Sequence, residues 1–506
     1  MEVIGGGVRY AEVGSFKATV LSREIPADTR NLVDAMRIVY QGVENVEIDT
    51  RGGDDRLAVR ALRTTTTLNT GAGSDTILVG SNARFAELGQ ADTNAGGTLN
   101  GIDALLTVNG QGAGDDDLLW LDDALDTSDN HGTVTATRIT NGVRANGVAG
   151  ASGVNLMGAA GSITYGTLEL LDIRLGDAQQ RNVLTVESTH GSGARTWLSS
   201  GAGSDVFNIE TIAADTTVRT GAGSDIVRVG STTGTIDPVG ALLDALNSSV
   251  NAISARLTIA GEAGDRDSLR VYDSGDQSKE TGRLRATELT RMGMALGIGY
   301  AGFEELKVWL SSNDNNFFIE STHSGVTYLD LGSETPVTNG VNDVLNIQSI
   351  SGPTTVVAGD GNDIIRVNFD EGGNQTFHSG INGELTLHGQ QGSDRYEIGL
   401  AGEISSRINV FDQSRGDPGI DRLRIYGTNQ ADFLLLRANN DIGIGMVAAI
   451  EVDADRNPVA GGVIERIYYD ADISGAVEIF GRDGDDTFVL DDNLAPTTIF
   501  GDAGND

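Results

Sequence analysis

The stretch DVLNIQSISGPTTVVAGDGNDIIRV (residues 343–367) contains one full unit of the pattern that decides the fold. Asp343 and Asp363 lie 20 residues apart, and each precedes a run of alternating apolar residues. Alternation with a period of two is typical of a β-strand with one buried face. The glycines before Asp363 are typical of a tight turn, because glycine tolerates positive φ. The unit therefore predicts a strand, a connection, a second strand and a glycine turn.

The same unit recurs along the chain. Its copies include TGAGSDTILVGS (70–81), SGAGSDVFNI (200–209), TGAGSDIVRVGS (220–231) and GRDGDDTFVL (481–490). A unit of about 20 residues cannot bury its apolar face alone, so it must stack on its neighbours. The pattern predicts an all-β fold, a parallel β-solenoid of the β-helix or β-roll kind, whose strands pair at about 4.8 Å.

A longer period lies above this unit. ITYGTLELLDI (163–173) matches IGYAGFEELKV (298–308), and the matching segments predict modules of about 140 residues. The expected modules are 1–125, 126–272, 273–430 and a partial, truncated fourth at 431–506. Short helical insertions are expected near 237–253, where Pro238 follows a capping Asp237, and within 26–39.

Composition excludes several classes of function. The 506 residues include 72 Asp and Glu against 35 Lys and Arg, and the net charge of −37 argues against binding nucleic acid through its phosphates. The chain has no cysteine, which excludes disulfides and cysteine-ligated zinc. The sequence lacks the uninterrupted run of about 18 apolar residues that a membrane span requires, so no span is expected.

The aspartates of the glycine turns are the candidate metal ligands. Stacked coils would hold them about 4.8 Å apart, where two like charges repel by roughly 0.9 kcal/mol even in water. Oxygen ligands without His or Cys favour Ca²⁺, and several ions are expected. An alternative stays open, in which each aspartate only hydrogen-bonds neighbouring backbone amides. The candidate ligands are Asp55, Asp75, Asp115, Asp116, Asp205, Asp225, Asp267, Asp363, Asp394, Asp485, Asp486 and Asp506.

GDGNDIIRV (359–367) and GRDGDDTFV (481–489) resemble the G-G-x-G-x-D-x-(apolar)-x unit of the calcium-binding repeats-in-toxin family, also called hemolysin-type repeats. The resemblance implies a calcium-bound parallel β-roll or β-helix, export from a Gram-negative bacterium through a one-step channel with an uncleaved C-terminal signal, and folding outside the cell. The chain departs from the family in having one motif per coil instead of contiguous nonapeptides. Its long modules are similar to those of very large bacterial exoproteins and adhesins.

These features predict an extracellular structural or adhesive protein at the bacterial cell surface. We expect a stiff, calcium-stabilised stalk or fibre that folds on binding Ca²⁺ outside the cell. Its expected partners are further repeats or copies of itself, and the cell surface or extracellular matrix. One alternative is the calcium-binding carrier region of a secreted toxin or hydrolase. A less favoured one is a β-helix enzyme acting on polysaccharide.

No enzymatic activity is expected from the histidines. His190 and His323 both end a Glu-Ser-Thr-His tetrapeptide, at the same position of two modules. A catalytic triad is a unique set held in a pocket. A tetrapeptide that returns with the module is more typical of a structural turn.

Overall fold

A computed structural model describes residues 2–3, 16–19, 43–84, 94–110, 114–142, 155–176, 181–191, 193–233, 247–264, 266–279, 281–332, 343–412 and 419–506. These residues form strands, turns and loops, with no helix among them, and therefore no helix that could cross a membrane. The chain divides into two units. Unit 1 is Met1–Ala245, Ala252–Ser268 and Ile298–Phe303, and unit 2 is Leu246–Asn251, Leu269–Gly297 and Glu304–Asp506.

The strands are short, mostly of four or five residues. Those up to residue 229 are β1 Glu2–Val3, β2 Phe16–Thr19, β3 Asn45–Asp49, β4 Arg56–Val59, β5 Thr65–Gly71, β6 Thr76–Val79, β7 Leu105–Gly110, β8 Leu118–Asp122, β9 His131–Val134, β10 Arg138–Asn141, β11 Ser162–Gly166, β12 Leu170–Arg174, β13 Val183–Val186, β14 Arg195–Ser199, β15 Val206–Ile209, β16 Asp215–Arg219, β17 Ala222–Gly223 and β18 Ile226–Val229. Those after it are β19 Leu257–Ala260, β20 Ala263–Gly264, β21 Ser268–Tyr272, β22 Thr281–Arg285, β23 Glu288–Arg291, β24 Ile298–Ala301, β25 Glu305–Trp309, β26 Asn316–Ile319, β27 Val326–Asp330, β28 Val344–Ile347, β29 Ser349–Ile350, β30 Thr354–Val357, β31 Ile364–Val367, β32 Gly380–Ile381, β33 Glu384–His388, β34 Arg395–Gly399, β35 Ser406–Val410, β36 Arg422–Tyr426, β37 Phe433–Asn439, β38 Ile444–Ile450, β39 Ile464–Asp470, β40 Ala476–Phe480, β41 Thr487–Leu490 and β42 Thr497–Phe500.

Most of the described strands of unit 1 form two largely parallel sheets. One contains β4, β6, β8, β12, β14, β16, β19 and β24, each paired in parallel with the next. The other contains the parallel runs β3–β5–β7–β11 and β9–β13–β15–β18, joined through the antiparallel strand β10. The 20-residue repeat sets the register where two motifs are consecutive, as in Val206 opposite Ile226.

Unit 2 follows the same plan. One parallel sheet runs β22–β26–β28–β31–β34–β36–β40–β42, with β23 antiparallel to β22. The other runs β25–β27–β30–β33–β35–β39 in parallel and then turns back through the antiparallel strands β38 and β37. An all-β fold with long parallel sheets is thus confirmed, and it is compatible with a β-solenoid.

The core of each unit is built by in-register apolar residues of successive strands. In unit 2, Leu345 pairs with Ile365 and Ile347 with Val367, and all four are at most 1% exposed. These residues come from the sequence stretch quoted at the outset. Parallel pairing in register stacks like residue on like, so each added strand extends the same apolar row.

Glycine permits the close stacking of the turns. Gly223 has φ of 144°, and a Cβ added to it would lie 1.6 Å from the carbonyl oxygen of Gly203 in the preceding turn. The two turns are bonded by the Ala222 N–H, which donates to the Gly201 carbonyl at 2.8 Å. No other residue fits at Gly223 without moving the backbone.

Gly223→Ala is expected to lower the free energy of unfolding by roughly 2–4 kcal/mol, because it adds a backbone clash to the cost of a left-handed conformation. Gly53 is a matched control, since it has φ of 114° but a Cβ there would meet nothing within 4 Å. Gly53→Ala should therefore cost only about 1 kcal/mol. Urea unfolding of both variants measures the difference, and equal losses would contradict the stacking account.

The expected helical insertions are not confirmed. Residues 26–39 and 237–246 lie outside the described residues. Residues 247–253 form turns and a loop instead of a helix, and Ile253 makes an isolated parallel bridge to Ile212. The apolar spacing of Val250 and Ile253 has another cause, because both side chains are fully buried.

Candidate metal centres

Acidic residues that directly precede strands form hydrogen-bonded columns. The Asp205 N–H donates to Asp225 Oδ1 at 2.8 Å, and the Asp225 N–H donates to Asp267 Oδ1 at 2.9 Å. All three residues are at most 1% exposed. Each carboxylate thus binds the backbone of the preceding turn, which is the contact that the hydrogen-bonding alternative anticipates.

Four columns of this kind occur in the described part of the chain. Those of unit 1 are Asp55, Asp75, Asp117, Glu169 and Asn130, Asn182, Asp205, Asp225, Asp267. Those of unit 2 are Asn315, Asp343, Asp363, Asp394, Asp421 and Asp432, Asp486, Asp506.

The hydrogen bonds that connect the members of a column use only one oxygen of each carboxylate. The second oxygen, Oδ2, is buried and has no hydrogen-bond partner among the described residues in several column members. A buried carboxylate oxygen without a donor costs free energy, which a proton or a cation can offset. The buried column members of this kind are Asp75, Asp117, Asp205, Asp225, Asp394 and Asp486.

Burial and neighbouring carboxylates both resist ionisation of the columns. Burial, followed by repulsion from Asp205, raises the pKa of Asp225 to about 6 despite the backbone hydrogen bond that lowers it. Burial likewise raises the pKa of Asp117 to about 6, with added repulsion from Asp75. Charging the columns at neutral pH therefore costs free energy, and a cation at Oδ2 would reduce this cost.

Two groups of acids come close enough to share an ion. In unit 1, Asp115, Asp117 and Glu169 each offer an oxygen, and these atoms lie within 4.8 Å of one another. Asp115 Oδ2 also accepts a hydrogen bond from the Gly73 N–H at 3.0 Å, which fixes it against the adjacent glycine turn. Hard oxygen donors in this number suit Ca²⁺ better than a transition metal.

The second group lies in unit 2. Asp394, Asp412 and Asp421 each offer an oxygen within 4.8 Å of the other two, and all three residues are at most 2% exposed. Burial raises the pKa of Asp394 to about 9, and repulsion from Asp363, Asp412 and Asp421 adds to the effect. This is a more deeply buried concentration of negative charge than the group around Asp117.

Comparison with known proteins adds no relative. The chain matches no protein-family model and no curated protein. The resemblance to repeats-in-toxin therefore rests on the glycine–aspartate motifs themselves.

Most of the residues predicted from the glycine motif lie in the columns. Asp115 lies in the acid group of unit 1. Asp116 is exposed, and its carboxylate lies 4.0 Å from the Arg195 guanidinium. Asp485 is also exposed, and its Oδ1 accepts a hydrogen bond from the Asn505 N–H. The predicted residues found in columns are Asp55, Asp75, Asp205, Asp225, Asp267, Asp363, Asp394, Asp486 and Asp506.

Several acids of these sites were not predicted, most of them because no close copy of the glycine motif marks them. Asp117 is the exception, since it lies in the copy GQGAGDDDLLWL (110–121), where the prediction named Asp115 and Asp116 instead. Asp421 in GIDRLRI (419–425) and Asp432 in ADFLLL (431–436) each precede an alternating strand directly. Both residues could therefore have been identified from the sequence as acids that lie immediately before an alternating strand. The unpredicted residues are Asp117, Glu169, Asp343, Asp412, Asp421 and Asp432.

A different set of buried acids binds loops. In unit 1, Asp123 accepts hydrogen bonds from the Leu99 N–H at 2.7 Å and from Asn130 Nδ2 at 2.6 Å. In unit 2, Asp273 accepts one from the Val250 N–H at 3.0 Å. These acids secure a preceding loop to the end of a strand, and the D-x-x-D spacing of 123–126 and 273–276 marks them in the sequence.

The Glu-Ser-Thr-His segments make structural contacts in both copies. Ser188 Oγ accepts a hydrogen bond from the Ala136 N–H at 2.8 Å, and Ser321 Oγ accepts one from the Ala286 N–H at 3.0 Å. Burial lowers the pKa of His190 to about 4, so its ring is neutral at physiological pH. These are the contacts of a repeated turn.

Proposed function

We propose that this chain is a calcium-stabilised β-solenoid that serves as an extracellular structural or adhesive element, a stalk or fibre at the bacterial surface. The single observation that supports it most is the set of carboxylate columns. One oxygen of each acid binds the neighbouring turn, and buried second oxygens remain for a cation. Repetition of such columns favours a building element over a protein with one unique site.

The chemistry of the columns favours calcium as the ion. All the donors are hard oxygens, and the acid group of Asp115, Asp117 and Glu169 brings three of them within 4.8 Å. The glycine turns add backbone carbonyl oxygens, which Ca²⁺ also accepts. We infer that binding several ions shifts the folding equilibrium by mass action.

Coupling of this kind would also fix where the protein folds. In a compartment poor in calcium, the acids of the columns repel one another and disfavour stacking. Outside the cell, calcium relieves this repulsion and each added coil extends the columns. Calcium binding would thus couple folding of the protein to its arrival outside the cell.

Antibodies against the purified protein test the location. On unpermeabilised cells that produce the protein, labelling should equal that of permeabilised cells, while a cytoplasmic control protein is labelled only after permeabilisation. Treatment of intact cells with protease should remove the signal faster after calcium chelation than in calcium buffer. Labelling that requires permeabilisation would contradict the proposal.

A further inference from the structure

The acid group of unit 2 has a feature that the glycine motif does not define. Asp394 belongs to a column, but Asp412 lies two residues after the end of β35, a strand of the other sheet. A Cβ added to Gly389 would lie 2.2 Å from Asp394 Oδ2 and 2.3 Å from both Asp412 Oδ1 and the Tyr396 hydroxyl oxygen. Three oxygens therefore converge on one point, against a residue that has no side chain.

The Asp394 carboxylate points into this cluster, and one of its oxygens lacks a hydrogen-bond donor in the described part of the chain. It is 2% exposed, and its Oδ2 has no hydrogen-bond partner among the described residues. Its backbone N–H donates to Asp421 Oδ1 at 2.9 Å, which brings the third carboxylate to the cluster. The Tyr396 hydroxyl, fully buried, donates to Asp412 Oδ1 at 2.7 Å and holds that carboxylate in place.

We propose that Asp394, Asp412 and Asp421 form a buried binding site for a single Ca²⁺ ion, built between a column and the end of a strand of the other sheet. The inference rests on the proposed calcium dependence and names a site that takes only one of its three carboxylates, Asp394, from a glycine turn. Three carboxylates carry three formal negative charges, which favours binding of a divalent cation over a monovalent one.

The spacing of the oxygens fits the size of the ion. Oxygens on opposite sides of a Ca²⁺ ion at about 2.4 Å are about 4.8 Å apart. One oxygen from each of the three acids lies within 4.8 Å of the other two. Ca²⁺ therefore fits with little movement of the carboxylates.

Counting bound ions in variants tests the site. Asp412→Asn keeps an oxygen that can accept the Tyr396 hydrogen bond but removes the charge. Calorimetric titration with Ca²⁺ should give one ion fewer per chain than in the wild type. Asp330→Asn is the matched control, because Asp330 also accepts a hydrogen bond from a tyrosine hydroxyl, that of Tyr328 at 3.2 Å, and belongs to no group of three acids among the described residues.

Melting temperatures give a second readout. In calcium-free buffer Asp412→Asn should melt at or above the wild-type temperature, because one buried charge is gone. In saturating Ca²⁺ it should gain less than the wild type does, while Asp330→Asn should keep the full gain. If Asp412→Asn does not fold, the same count is made on Asp421→Asn, which is equally isosteric.

An unchanged ion count in both Asp412→Asn and Asp421→Asn would overturn the site, as would an equal loss in Asp330→Asn. This failure is distinct from that of the proposed function. A chain that binds calcium at its glycine turns and keeps every ion in Asp412→Asn contradicts only the buried site. Loss of one ion from a protein found inside the cell contradicts only the proposed location.

Discussion

Asp225→Ala is expected to lower the free energy of unfolding by roughly 2–4 kcal/mol, because it leaves the buried Asp205 N–H without its acceptor. In calcium the loss should be larger, because a ligand of the column is removed as well. Chemical unfolding in calcium and in calcium-free buffer measures both parts. The exposed Asp215, which accepts a hydrogen bond from the Arg256 N–H, provides the control, and Asp215→Ala should cost under about 1 kcal/mol.

Asp225→Asn separates the hydrogen bond from the charge. The amide oxygen can still accept from Asp205, so this variant should be at least as stable as the wild type without calcium. It should be less stable than the wild type in calcium, since one anionic ligand is missing. Equal stability of Asp225→Asn and the wild type in saturating calcium would mean that the carboxylate acts only through its hydrogen bond.

Without calcium, the protein is expected to become more stable as the pH falls. Burial raises the pKa of Asp117, Asp225 and Asp432 to about 6 and that of Asp394 to about 9, all above the ordinary value of 3.8. The folded protein then binds more protons than the unfolded chain across this range. Stability contributed by these groups is therefore full below about pH 4 and is lost as the pH rises through the folded pKa values.

Thermal melting in metal-free buffers measures this effect. We expect the melting temperature at about pH 5 to exceed that at about pH 8 by roughly 5 °C. Saturating calcium should reverse the order, because the ion binds deprotonated carboxylates and competes with protons. A melting temperature that rises with pH in metal-free buffer would contradict the account of the buried acids.

The sequence predicts the class of fold because the signals for it are local. Alternating apolar residues such as Leu345 and Ile347 define the strands, and the 20-residue interval from Asp205 to Asp225 defines the register that the structure shows. Most strand-preceding aspartates that a glycine motif marks were also predicted, except Asp117, in place of which the prediction named Asp115 and Asp116. These features need only neighbouring residues to be recognised.

Local sequence patterns do not predict the two acid groups, because each group brings together residues that are far apart in sequence. Glu169 reaches the column of Asp117 across 52 residues, and nothing near Glu169 marks it as a partner. Asp412 meets Asp394 because the end of β35 in one sheet lies close to the start of β34 in the other. The helix predicted near 237–253 is not confirmed, and in its described part, 247–253, the apolar spacing of Val250 and Ile253 reflects burial in a loop.

The central claim, that the buried carboxylates hold Ca²⁺, is tested most directly by titrating the metal-free protein at neutral pH. Calorimetry counts the ions, and circular dichroism follows strand content and melting with Ca²⁺ and with Mg²⁺. A site at a hundredfold excess of ligand over Kd adds about 2.7 kcal/mol, so several sites should raise the melting temperature by about 10 °C or more. We expect several bound Ca²⁺ ions, this rise in melting temperature, and little effect of Mg²⁺. No bound calcium and an unchanged melting temperature would contradict it, and would leave the columns held by hydrogen bonds and protons alone.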